Sequence, residues 1–143
     1  MKTITIPHQI KNNFIAIISL FIAISALYYN TWRNEQTEKN RNIRTAAFEV
    51  LKELGDLQAV INYARYQPNN TFGNPYLAWS HVAMINDLSE LLPPPIPNNI
   101  HTLTQTWNKH WMKIKTNDGA IDIITNEIDH SRESVLFILQ KLK

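Results

Sequence analysis

Residues 43–64 read IRTAAFEVLKELGDLQAVINYA. Apolar side chains stand at 43, 47, 50, 54, 57, 61 and 64, so the interval alternates between four and three without a miss. A helix with 3.6 residues per turn gathers such positions onto one face. The spacing therefore predicts a helix-pairing seam of Ile43, Ala47, Val50, Leu54, Leu57 and Ile61, with the heptad phase of a coiled coil. Ala46 and Leu51 widen the stripe beyond a narrow two-stranded seam. Gly55 sits inside this pattern and costs ~1 kcal/mol against Ala in a helix interior. A close-packed neighbour is the reading that would account for it.

Upstream of the seam, residues 33–42 (RNEQTEKNRN) are polar all round and predict a solvated helical stalk. Further upstream there is no charge between Lys11 and Arg33. Within that stretch, residues 14–29 (FIAIISLFIAISALYY) are interrupted only by Ser19 and Ser25. Some 20 apolar residues at a rise of 1.5 Å give a helix ~30 Å long, the thickness of a bilayer's hydrocarbon core. Tyr28, Tyr29 and Trp32 fall where an interfacial aromatic belt belongs. Residues 12–32 are thus expected to span a lipid bilayer as a signal anchor, after a short basic tail, 1–11. A cleaved signal peptide is the nearest rival, with Lys2 and Lys11 as its basic region and Ala23-Ile24-Ser25 as small-residue spacing. The apolar run is long for such a signal, and neither Pro nor Gly follows it until Gly55. A buried core helix is the other rival, but so apolar a run needs a larger protein to cover all its sides.

Downstream, residues 67–74 (QPNNTFGN) carry the breakers Pro68 and Gly73 and predict a loop. Asn74-Pro75 has the form of an N-cap followed by proline at the first helical position. A helix from there to about Leu92 would bury Leu77, Ala78, Val82, Ile85, Leu88, Leu91 and Leu92. Pro93-Pro94-Pro95-Ile96-Pro97 ends it and predicts a stiff extended connector. Asn98 or Asn99 is expected to cap a third helix with the stripe Ile100, Leu103, Trp107, Trp111 and Ile114. Asn117-Asp118-Gly119 reads as a turn or C-cap. A fourth helix, from about Ala120 to Leu142, carries Ile121, Ile124, Ile128, Ser131, Val135, Ile138 and Leu142. The expected fold is all-α: one N-terminal transmembrane helix continuing into a small antiparallel bundle of about four helices, residues 43–143.

Composition narrows the function classes. The 143 residues include no cysteine, which excludes disulfides, thiolate metal sites and a cysteine nucleophile. Three glycines leave no room for a glycine-rich phosphate loop. The charged fraction is 18%, against ~25% in typical domains. The net charge of +2 corresponds to Lys2 and Lys11, so the remainder is neutral and nucleic acid is not an expected partner.

The candidate site residues are few. Glu127-x-x-His130 has the spacing of carboxylate-bridged metal sites in bundles, but no second Glu-x-x-His accompanies it. The plainer reading is a solvated helix face. Histidines 81, 101, 110 and 130 include no pair spaced three or four apart; His81 and His110 lie on separate helices. Trp79, Trp107 and Trp111 suggest either core packing or an aromatic groove for a ligand or partner, which Arg65-Tyr66 would rim. Pro94-x-x-Pro97 is better read as a connector than as a polyproline ligand. Asn69-Asn70-Thr71 fits a glycosylation acceptor only in a secreted eukaryotic setting. There is no catalytic constellation, so neither an enzyme nor a cofactor is expected.

The expectation is a non-catalytic interaction or scaffold module at a membrane surface, with a protein partner or self-association. The alternative is an extracytoplasmic ligand-sensing bundle acting with a separate membrane partner, an analogy at the level of fold. Lys2 and Lys11 face Arg33, Lys39, Arg41 and Arg44 across the span, a nearly even contest. A basic tail before an apolar run favours the N-terminus in the cytoplasm and the domain outside. Sixteen asparagines fit an AT-rich bacterial genome, hence a bacterial inner membrane.

Overall fold

A computed structural model of the chain describes residues 13–67, 69 and 71–142. The basic tail 1–11 and the first residue of the expected span, 12, lie outside the described residues. Among the described residues there are four α-helices: α1 (Phe14–Tyr66), α2 (Pro75–Ser89), α3 (Ile96–His110) and α4 (Asp118–Lys141). Short 3-10 turns occupy Thr71–Gly73 and Trp111–Lys113. Among the described residues there is no strand, and the protein is all-α. The chain divides into two compact units, with the boundary between Lys39 and Asn40.

The described part of the first unit is helix alone. Its large apolar side chains are uncovered: Phe14, Ile15, Leu20, Phe21, Ile24, Leu27 and others are all exposed. An 18-residue window here is apolar enough to cross a membrane, and none of it is buried. A core helix of a soluble domain would bury most of such a window, so that rival loses its main support. Tyr29 and Trp32 sit with ring centroids 6.1 Å apart. Thr31 and Thr37 donate their hydroxyls to the carbonyls of Leu27 and Arg33, four residues back.

The second unit is a small bundle built on the seam of α1. Ala47, Val50, Leu54, Leu57, Ile61 and Ala64 are buried, with Ala46 and Val60 beside them and Ile43 half-buried. They share one core with Ala78, Val82 and Ile85 of α2, Ile96, Ile100, Leu103 and Trp107 of α3, and Ile121, Ile124, Ile128 and Val135 of α4. Fully burying one Val, Leu or Ile is worth about 1.5–3 kcal/mol, so this shared core is the main source of stability. Ser131 takes its place in the α4 stripe, fully buried, and its hydroxyl has no hydrogen-bond partner.

The helix ends correct several expectations. Asn74 does cap α2, its side-chain oxygen accepting from the Tyr76 amide at 3.1 Å, with Pro75 in the first turn. The helix stops at Ser89, and 3-10-type bonds from the Leu91 and Leu92 amides close the turn to Leu88 and Ser89. The prolines that follow have no amide hydrogen to donate, so the α-ladder cannot continue. Ala78, Val82, Ile85 and Ser89 form the inner face of α2, while Leu77 and Leu91 point outward.

The proline segment is not an extended connector. The Ile96 amide bonds the Pro93 carbonyl, the Pro94–Pro95 bond is cis, and α3 begins at Ile96. Pro97 is accommodated because the first turn of a helix leaves its amides unpaired in any case. Asn98 and Asn99 therefore lie inside the helix. Asn99 instead donates to the Ser134 hydroxyl and ties α3 to α4. Asn117 is the N-cap of α4, accepting from the Ala120 amide at 3.1 Å, not the end of a preceding helix.

Two glycines separate by environment. A Cβ on Gly55 would meet nothing within 4 Å, so no close-packed neighbour explains it. A Cβ on Gly73 would fall 2.6 Å from the Ala64 amide nitrogen and 2.7 Å from the Tyr63 carbonyl carbon. Here the 3-10 turn rests directly on the α1 backbone. Gly55→Ala is expected to raise the unfolding free energy by about 1 kcal/mol. Gly73→Ala is expected to lower it by about 1–3 kcal/mol, through overpacking against a backbone that cannot yield. Urea melts of the full chain, followed by circular dichroism, distinguish the two signs.

Candidate functional site

The feature richest in ligand chemistry lies between α1 and α2. Glu53 and Asp56 are three residues apart on α1 and so lie on neighbouring positions of one face. His81 comes from α2. Its Nδ1 sits 2.7 Å from Glu53 Oε2, with both side chains largely covered, 25% and 15% exposed. The contact is a hydrogen bond with a neutral imidazole and an ion pair with a protonated one. Asp56 completes the group: one donor atom from each of the three residues lies within 4.8 Å of the others. Asp56 itself is exposed and has no hydrogen bond or ion pair among the described residues.

A shallow pocket opens beside this group. Asp56, Ser80 and His81 form its polar part, and Tyr63, Phe72 and Leu77 its apolar part. Tyr63 and Phe72 are in ring contact at 5.9 Å, Phe72 being carried by the 3-10 turn that Gly73 seats on α1. Tyr63, Tyr66, Phe72 and Leu77 are all exposed, and a second shallow pocket runs past Tyr63 and Tyr66. At the same end of α1, Arg65 lies over the Tyr66 ring and 3.4 Å and 3.7 Å from carboxylate oxygens of Asp118 and Asp122. These surface ion pairs link the start of α4 to the end of α1.

The tryptophans come together in one edge-on cluster. Trp79 stands edge-on to Trp107 at 6.2 Å and to Trp111 at 5.9 Å, and Tyr76 edge-on to Trp111 at 5.4 Å. Trp107 is fully buried, with its indole nitrogen unpartnered; Trp79 and Trp111 are half-buried against the core. None of the three lines either of the two pockets. Arg65-Tyr66 lies with the pocket at Tyr63.

The remaining candidates are placed as follows. Glu127 is half-buried and His130 exposed, and they join no group of three metal-ligating side chains among the described residues. The seam Ile43, Ala47, Val50, Leu54, Leu57 and Ile61 pairs with helices of its own chain. His81 meets Glu53 and Asp56, not His110. The one signal for this group in the sequence is the Glu53-x-x-Asp56 spacing, which is too common to single out without knowing that His81 lands opposite.

No family model matches the chain, and neither a curated protein nor a solved structure matches it.

The Trp cluster yields a test of packing against groove. Trp107→Ala is expected to cost about 3–5 kcal/mol, the range for deleting a buried aromatic, and Trp79→Ala clearly less. Equilibrium denaturation of both variants measures the difference. Equal and small losses would reject the packing assignment.

Proposed function

We infer that the protein is a membrane-anchored, non-catalytic interaction module that holds a small helical bundle at the membrane surface. The observation that carries this reading is the uncovered apolar length of α1. From Phe14 to Trp32 its large apolar side chains are exposed, and a stretch of that length and composition is stable only in lipid or under a covering protein. The helix runs on to Tyr66 without a break, which favours a retained signal anchor over a cleaved leader. The balance of basic residues favours the N-terminus in the cytoplasm and the bundle outside, at a bacterial inner membrane.

Interaction is supported by what the bundle leaves uncovered. The seam of α1 is buried in the core of its own domain, so it is not the surface offered outward. Tyr63, Tyr66 and Phe72, with the aliphatic Leu77, are exposed apolar side chains next to shallow pockets. Aromatic side chains in such a setting suit a protein surface, of another chain or of a second copy. The pocket beside His81 gives some support to the alternative, a ligand-sensing bundle working with a separate membrane protein.

A topology reporter fused at Lys143 is expected to be active only outside the cytoplasm, and a cytoplasmic signal overturns the orientation. A photo-crosslinking residue at position 72 is expected to give one adduct of defined mass in membranes. The same residue at exposed position 115 should give none. A chain that stays monomeric at both positions sinks the interaction reading, and an adduct of twice the chain mass identifies self-association.

A further inference from the structure

We propose that Glu53, Asp56 and His81 form a binding site for a divalent transition-metal ion of the Zn2+ type. Three donors from two packed helices are already gathered: one imidazole nitrogen and two carboxylate oxygens, mutually within 4.8 Å. A metal bonded at ~2.0–2.2 Å to each donor holds them ~3.4 Å apart in tetrahedral geometry, so modest side-chain rotation closes the set. The His81–Glu53 contact at 2.7 Å is held by a single proton between nitrogen and oxygen, and a cation can take the place of that proton. The two carboxylates balance the charge of a divalent ion. One imidazole with two carboxylates suits zinc better than Mg2+ or Ca2+, which take all-oxygen shells.

The surroundings fit an open site better than a closed one. Glu53 and His81 are largely covered, which limits their freedom, whereas Asp56 is exposed and has no partner to give up. The shallow pocket over Asp56 and His81 leaves the remaining coordination position reachable from outside. With three protein ligands and one open position, the bound ion would accept water or a donor atom from a docked molecule. The competing account is that Glu53 and His81 form an ordinary helix-to-helix hydrogen bond and Asp56 stands by without a role. The two accounts differ in what they require of Asp56.

The test uses the full chain in detergent micelles, untagged, dialysed against Zn2+ and assayed by elemental analysis and thermal melting. The expected result is one retained zinc per chain and a raised Tm, both lost in Asp56→Asn and in His81→Gln. Asp56→Asn is the decisive variant, because an exposed, unpartnered side chain can lose its charge without disturbing the fold. Its circular dichroism should match that of the native chain. Glu127→Gln with His130→Gln should retain the zinc. Absence of retained zinc overturns the proposal. So does retention undiminished in Asp56→Asn, or loss that follows the Glu127 and His130 substitutions instead.

Discussion

The bundle depends on one constraint: the stripe from Ala47 to Ala64 on α1 has to be kept from water by the same chain. Eight side chains of α1 are buried. No single short helix covers a stripe that wide, and the chain meets the demand with three helices that share one core. The caps follow from the need to stop and restart helices around that stripe. Asn74 and Asn117 each satisfy an amide that the first turn leaves open. Gly73 lets the α1–α2 connection lie against the backbone it has just left.

The same helix carries a second, different apolar pattern. Up to Trp32 its large apolar side chains are uncovered, while from Ile43 onward the aliphatic ones gather on one buried face and Phe48, Tyr63 and Tyr66 stay exposed. The polar interval 33–42 lies between these two patterns and keeps helical geometry throughout. Sequence periodicity alone distinguishes the regimes, since an all-round apolar helix and a striped helix bury their side chains in different media.

The stripes of α1 and α4 and the Asn74 cap were legible in the sequence because each is set by local spacing. The start of α3 was not. Four prolines read as an extended connector, yet a first helical turn tolerates Pro97, and the cap assigned to Asn98 or Asn99 falls inside the helix. Asn117 carried the right turn chemistry, but its role depends on which helix it faces. Gly55 looked like a packing site and stands in open space. The Glu53–Asp56–His81 group was beyond reach for a different reason. It depends on the register between α1 and α2, which no spacing within either helix specifies.

The indole arrangement has an optical consequence. Trp79, Trp107 and Trp111 stand edge-on at about 6 Å, with Trp107 wholly shielded from water. Chromophores that close share their electronic transitions, so the intact bundle carries its own near-ultraviolet signature, which vanishes once α2 and α3 part. Trp32, at the exposed aromatic end of the apolar stretch, has no indole neighbour among its ring contacts and takes its emission colour from the medium around it. One chain thus carries an unlabelled gauge of folding and an unlabelled gauge of the medium around its apolar stretch.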